Sequence, residues 1–260
     1  MQIPDTALIA LRWTFVVALF FVGPLLDRRG AQQLRRFTSE SGRLRFGRST
    51  VAASWCWAAG AVALGWPADL MHLPLDPGSV LLRPWVHGAL GALVIVAVAM
   101  TLVQGLQCAG RPLQRQRFAR AARSLRFMMP VTARERGWWV VLSVSAGVCE
   151  ELFTRGFLLQ FLAGRIPGGP GLSVLGACLL SSALFGLAHA YQGAAGVVRT
   201  AGGGLVLGLL AVVTGGLWLP ILVHALADMQ ILWMYRPQLD DPEDARRLVD
   251  GCDPDPAMQA

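Results

Sequence analysis

Seven mostly apolar stretches follow one another along the chain, each about as long as a helix needs to cross hydrocarbon, roughly 17 to 25 residues. They run over Thr6 to Leu26, Ser49 to Trp66, Trp85 to Gln107, Trp138 to Leu162, Leu172 to Tyr191, Val197 to Val213 and Leu217 to Tyr235. The pattern predicts an all-α, polytopic membrane bundle of about seven transmembrane helices, six to eight allowing for the glycine-rich sixth. No cationic n-region precedes the first stretch and no A-x-A site follows it, so a cleaved signal peptide is not expected.

Composition agrees. Of 260 residues, 54% are hydrophobic and only 15% charged, whereas a water-soluble chain carries about 25% charge. Disordered, collagen-like and disulfide-scaffold classes are thereby excluded. The net charge of +7 comes from 23 basic residues, all of them arginine. Seven lie between Arg28 and Arg48 and eight between Arg111 and Arg136. Two such blocks beside apolar spans resemble cytoplasmic loops under the positive-inside rule, not a nucleic-acid surface, and no nucleic-acid partner is expected. The N-terminus is then outside and the C-terminus cytoplasmic, in a bacterial-type plasma membrane. Residues 1–136 read as N-terminal spans with two arginine-rich loops, 137–236 as a helical core and 237–260 as an acidic tail. Trp66, Trp85, Trp138, Trp139, Trp218 and Trp233 sit near span ends and read as an aromatic belt. Gly202, Gly203, Gly204 and Gly208 read as a face for close helix packing. The five cysteines lack paired or metal-ligand spacing and read as small buried hydrophobes.

The informative residues are those that are costly in hydrocarbon. Glu150, Glu151, Arg155, His189, His224 and Asp228 all fall within the last four spans. Each charge at bilayer depth costs about 2.5 to 3.5 kcal/mol on insertion scales, so such residues mark a site facing a cavity or the bundle interior. On a helix Glu151 and Arg155 are i and i+4 and can pair, while Glu150 points about 100° away. Glu151 then neutralises Arg155, leaving Glu150 available as a base. The plainer reading is one buried ion-pair cluster that serves packing. Phe185 and His189 lie one turn apart, as do His224 and Asp228. His72, Asp69 and His87 fall in an outer loop or at a span end and are given no task.

Together these residues suit peptide-bond hydrolysis. A water attacking the carbonyl must lose a proton, which Glu150 and His189 can jointly arrange. The oxyanion needs donors, supplied by His224 and by Asp228 if protonated; an ionised Asp228 would instead orient His224. The H-E-x-x-H and G-x-S-x-G signatures are absent from the sequence.

Glu150-Glu151-x-x-x-Arg155, Phe185-x-x-x-His189 and His224-x-x-x-Asp228, in that order on apolar helices, resemble the CPBP family. This is the family of CAAX prenyl proteases and bacteriocin-processing or Abi-type intramembrane proteases. The Thr214-Gly215-Gly216-Leu217-Trp218 approach to His224 is similar as well, and the resemblance covers Trp138 to Asp228. It implies an all-helical hydrolase with its site in a membrane cavity open toward the cytoplasm. It makes Glu150 the water-activating base with His189 beside it, Glu151 and Arg155 a supporting pair, and His224 with residue 228 the oxyanion donors. The CAAX-protease branch typically carries asparagine at that last position, where this chain has Asp228. The implied substrate is a peptide or a membrane-associated protein at the bilayer. Glu150, His189 and His224 would also satisfy a divalent metal such as zinc, so a glutamate-type and a metal-dependent peptidase both remain open.

Two other functions fit the same residues. One is a non-catalytic membrane scaffold or bacteriocin self-immunity protein of this fold, and the other a proton-coupled transporter. The span boundaries also set a geometric condition. They put His189 near the cytoplasmic end of its helix and His224 nearer the outer end, so the two meet only if the sixth segment is short or tilted, or the boundaries shift.

Overall fold

Thr132 begins the most consequential helix. Its hydroxyl accepts from the Glu135 backbone N–H, and the Glu135 carboxylate reaches back to the N–H groups of Thr132 and Val131 at 2.9 and 2.7 Å. This reciprocal cap satisfies donors that a helix start otherwise leaves unpaired. The other Glu135 oxygen accepts from Arg43 at 2.6 Å, which fastens this start to the second helix of the chain.

The structure is a computed structural model that describes residues 5–23, 25, 39–65, 72, 73, 75, 83–122 and 125–236. Within them run α1 (Asp5–Val22), α2 (Glu40–Ala63), α3 (Pro84–Gly110), α4 (Pro112–Ala121), α5 (133–163), α6 (Pro170–Ala188), α7 (Ala194–Thr214) and α8 (Trp218–Met234). The described residues contain no strand, only an isolated bridge between His72 and Gly216. The acidic tail, Arg28, Arg29, Arg35, Arg36, Trp66, Asp69 and most of the outer connector lie outside the described residues.

The fold is therefore an all-α membrane bundle, and seven of its helices stand where the seven apolar stretches were expected. By length and hydropathy α1, α3, α6 and α7 are each sufficient to cross a bilayer, with mean hydropathy from 1.8 to 2.3. The other three fall short for visible reasons. Arg43, Arg45 and Arg48 occupy the first turns of α2, α5 carries the ionisable residues of the site, and α8 is shorter. The chain is an integral membrane protein. Its surface fits lipid: Trp85, Ile95 and Leu106 on α3 are each about two-thirds exposed or more, at 71%, 69% and 66%.

The second arginine block departs from the expected loop, because Pro112–Ala121 is helical. Proline at the first position and the leucine, glutamine, arginine and alanine that follow favour this. The first block is likewise helical from Glu40, where the Ser39 hydroxyl caps the start of α2. Arg12, which interrupts the first span, donates to the Leu64 carbonyl at 2.7 Å and so satisfies the end of α2.

At the centre lies α5. Every residue from Glu151 to Leu159 is buried, and the backbone widens to a π-helix over Leu152–Leu159. Phe157, Leu158, Leu159 and Phe161 pack there against Val174, Ala177 and Cys178 of α6 and Ala211 of α7. Phe157 stacks on Phe161 and meets Phe15 of α1 edge-on. Two of the expected small-residue contacts hold: Gly204 abuts Phe185 and Ser182, and Gly208 abuts Cys178. Gly202 and Gly203 face open space and take no part. Cys108, Cys149 and Cys178 are buried as expected, but Cys56 is exposed on α2.

Candidate active site

The π-helical turn begins directly after Glu150 and Glu151, and such widened turns recur at functional sites. The two neighbouring carboxylates leave α5 toward different surroundings. Glu151 is completely buried, and its Oε1 accepts from Arg155 Nη1 at 2.7 Å. Arg155 is buried too: Nη1 also donates to the Thr154 hydroxyl and Nη2 to the Gly204 carbonyl, both at 2.7 Å, while its guanidinium lies 5.0 Å from the Phe185 ring centre. This arginine thus ties α5 to α6 and α7.

Glu150 faces the histidines. Its Oε2 is 3.9 Å from His189 Nε2 and 3.8 Å from His224 Nε2. Its side chain keeps 18% exposure, as does that of His189, so the group is half-open where Glu151 is sealed. His189 closes α6, and its Nδ1 donates to the Phe185 carbonyl at 2.8 Å. A carbonyl only accepts, so the proton sits on Nδ1 and Nε2 is turned to Glu150. His224 is fixed the same way, with Nδ1 donating to Glu151 Oε1 at 2.8 Å. Both rings therefore present Nε2 to one carboxylate oxygen.

Asp228 joins the cluster more loosely. Its Oδ2 is 3.8 Å from His224 Nε2, beyond hydrogen-bond range, and its side chain is 44% exposed. The hydrogen bond that holds the His224 ring comes from Glu151, at Nδ1. The structure brings the six expected residues together.

His189 and His224 are not brought together by a shortened sixth segment, since α7 runs a full 21 residues. Gly215, at φ +66°, turns the chain from α7 into α8. Gly147 then lets α8 lie against α5: a Cβ there would sit 2.9 Å from the Ala225 Cβ and 3.0 Å from the Ile221 carbonyl oxygen. That contact lies three residues before Glu150 and one after His224, so it sets their separation.

Sequence reasoning passed over the residues that hold α8 down. Trp139 donates its indole N–H to the Asp228 carbonyl at 3.0 Å, and Arg136 donates to the carbonyls of Leu232 and Tyr235. A belt position and an arginine block hid both roles. Thr154 and Gly147 were also missed, although Ser143-x-x-x-Gly147 has the small-residue spacing that marks a close helix crossing.

Residues 132–230 match the family described as Type II CAAX prenyl endopeptidase Rce1-like. This segment is therefore similar to an Rce1-like domain. It spans α5 to α8 up to Gln230 and contains all six residues of the cluster. No curated protein and no solved structure matches the chain. Within this segment the donor set that could hold a metal is Glu150, His189 and His224. Among the described residues no three His, Cys, Asp or Glu side chains are gathered so as to hold a metal ion, and the imidazole–carboxylate separations of 3.8 and 3.9 Å are wider than the edge of a zinc coordination shell, about 3.3 Å for bonds near 2.0 to 2.1 Å.

Proposed function

We propose that the chain is an intramembrane endopeptidase that hydrolyses a peptide bond with a water activated by Glu150. The observation that carries this reading is the convergence of the Nε2 atoms of His189 and His224 on one half-open carboxylate oxygen, at 3.9 and 3.8 Å, inside an apolar bundle. Atoms that far apart are too distant to bond one another, yet one water can lie within about 2.8 Å of both.

In the proposed reaction the water gives a proton to Glu150 as its oxygen bonds to the carbonyl carbon. His189 Nε2 accepts a hydrogen bond from the other water O–H, which stays on the oxygen, and aims the lone pair. The carbonyl electron pair moves onto oxygen, which His224 Nε2–H then receives. To donate there while Nδ1 faces Glu151, His224 carries both ring protons, and the carboxylates of Glu151, Glu150 and Asp228 balance that charge. When the intermediate collapses, the C–N bond breaks and the amine leaves with the proton held by Glu150. A positioned base contributes roughly 10²- to 10⁴-fold and an oxyanion donor roughly 10²- to 10³-fold.

The substrate proposed is a peptide or membrane-associated protein whose scissile bond reaches bilayer depth, and the family description adds prenylated CAAX chains to that class. The test compares new protein N-termini in membranes containing the chain or its Glu150→Gln variant. Termini present only with the unaltered chain support the reading; identical sets at equal expression contradict it.

A further inference from the structure

His189 stands at the very end of α6, where the chain leaves the helix for one three-residue turn, Ala190–Gln192. Helix ends fray first, so the single bond from Nδ1 to the Phe185 carbonyl is slender support for a ring that must aim a water. Two aromatic neighbours supply the rest. Between ring centres Phe185 lies 4.7 Å from the imidazole, and Tyr191 lies 5.8 Å away with the planes inclined by 37°. Both separations fall within the roughly 4.5 to 7 Å over which aromatic rings attract one another.

Tyr191 closes the fifth apolar stretch and belongs to none of the three motifs. It is half-buried and packs against Phe127. Phe127 is itself buried and meets Phe46 of α2 edge-on, with 6.1 Å between ring centres. A row of rings thus runs from α2 through Phe127 and Tyr191 to His189. Phe46 and Phe127 lie outside residues 132–230, so this backing comes from beyond the matched segment. The Tyr191 hydroxyl accepts from Gln192, its neighbour in the chain, at 3.4 Å, and it is the ring that reaches the imidazole. We infer that Tyr191 is a positioning residue: backed by Phe127, it holds the His189 ring so that Nε2 stays turned to the water shared with Glu150. The inference rests on the reading of Glu150 as the base.

The test is the cleavage kinetics of the full chain in proteoliposomes, on a peptide taken from the new termini that the unaltered chain produces. Tyr191→Leu keeps the apolar bulk and removes the planar ring. It should lower kcat about five- to tenfold with KM within about twofold, because aiming the water bears on the chemical step and not on substrate binding. Tyr191→Phe should bring kcat back to within about twofold of the unaltered chain, since the ring is kept. Phe127→Leu, a second variant outside the matched segment, should lower kcat in the same direction by about two- to threefold. In a His189→Ala background Tyr191→Leu should cost less than about twofold more, because the ring it holds is gone. Equal costs of Tyr191→Leu with and without His189, a raised KM at unchanged kcat, or no recovery in Tyr191→Phe would overturn the inference. Undiminished cutting by Tyr191→Leu alongside an inactive Glu150→Gln overturns it and leaves the base in place. Undiminished cutting by Glu150→Gln overturns both.

Discussion

Glu151 accepts a hydrogen bond from His224 Nδ1 at 2.8 Å across 73 residues of chain. The same carboxylate oxygen receives Arg155 at 2.7 Å, so one sealed acid both neutralises a buried arginine and aims an imidazole. Its neighbour Glu150 faces the opposite nitrogen of that imidazole at 3.8 Å. Adjacent residues on one helix thus face the two edges of a single ring, one bonded to it as support and the other across a gap as partner in the proposed reaction.

Removing the support alone should cost both stability and rate. Glu151→Gln leaves Arg155 as a buried charge without its partner, a loss of about 3 to 5 kcal/mol. Replacing both, as Glu151→Gln with Arg155→Met, should restore much of the thermal stability while the cleavage rate stays low, because His224 is still unaimed. Thermal unfolding and single-turnover rates measured on the same preparations separate the two effects. Full recovery of rate in the double variant would contradict the orienting role.

The two members of the third motif should differ sharply. His224→Gln is expected to lower kcat/KM by roughly 10²- to 10³-fold, the usual loss of an oxyanion donor. Asp228→Asn should stay within about tenfold of the unaltered rate, since the half-exposed carboxylate is not hydrogen-bonded to the ring and an amide can donate in its place. Steady-state kinetics on a peptide identified from the new termini checks both. Abolition of cleavage by Asp228→Asn would mean that the charge at 228 is required.

Close approach at Gly147 should prove as necessary as the acids. Gly147→Ala puts a methyl group 2.9 Å from Ala225 Cβ and 3.0 Å from backbone at Ile221, and such overpacking costs about 1 to 3 kcal/mol. The expected result is a lower melting temperature and a disproportionate fall in rate, as α8 and His224 shift from Glu150. Adding Ala225→Gly should return part of both. A Gly147→Ala variant with unchanged activity would show that this crossing does not set the site.

The separations around Glu150 lead to an expectation for chelation. Cleavage should proceed at an undiminished rate after treatment with a strong chelator, in protein whose zinc content by elemental analysis is far below one per chain. Loss of activity that zinc restores would instead make Glu150, His189 and His224 metal ligands.

Much of this was legible in the sequence because hydrocarbon penalises errors heavily. Apolar length alone located seven of the helices, and the rarity of ionisable residues within them exposed Glu150, Glu151, Arg155, His189, His224 and Asp228. The i, i+4 rule gave the Glu151–Arg155 pair correctly. Contacts between helices were not legible. That His224 bonds to Glu151, and not to Asp228 four residues on, depends on how closely α8 crosses α5 at Gly147. The helical character of the arginine blocks was hidden for a different reason, since charge density marks membrane topology and says nothing of backbone conformation.

The most direct measurement is the cleavage rate of Glu150→Gln in proteoliposomes, alongside its melting temperature. Glutamine keeps the size and removes the proton acceptor, so the rate should fall by at least about 10²-fold while melting stays within a few degrees of the unaltered protein. A variant that cuts the same peptide at the original rate would contradict the assignment of Glu150 as the base.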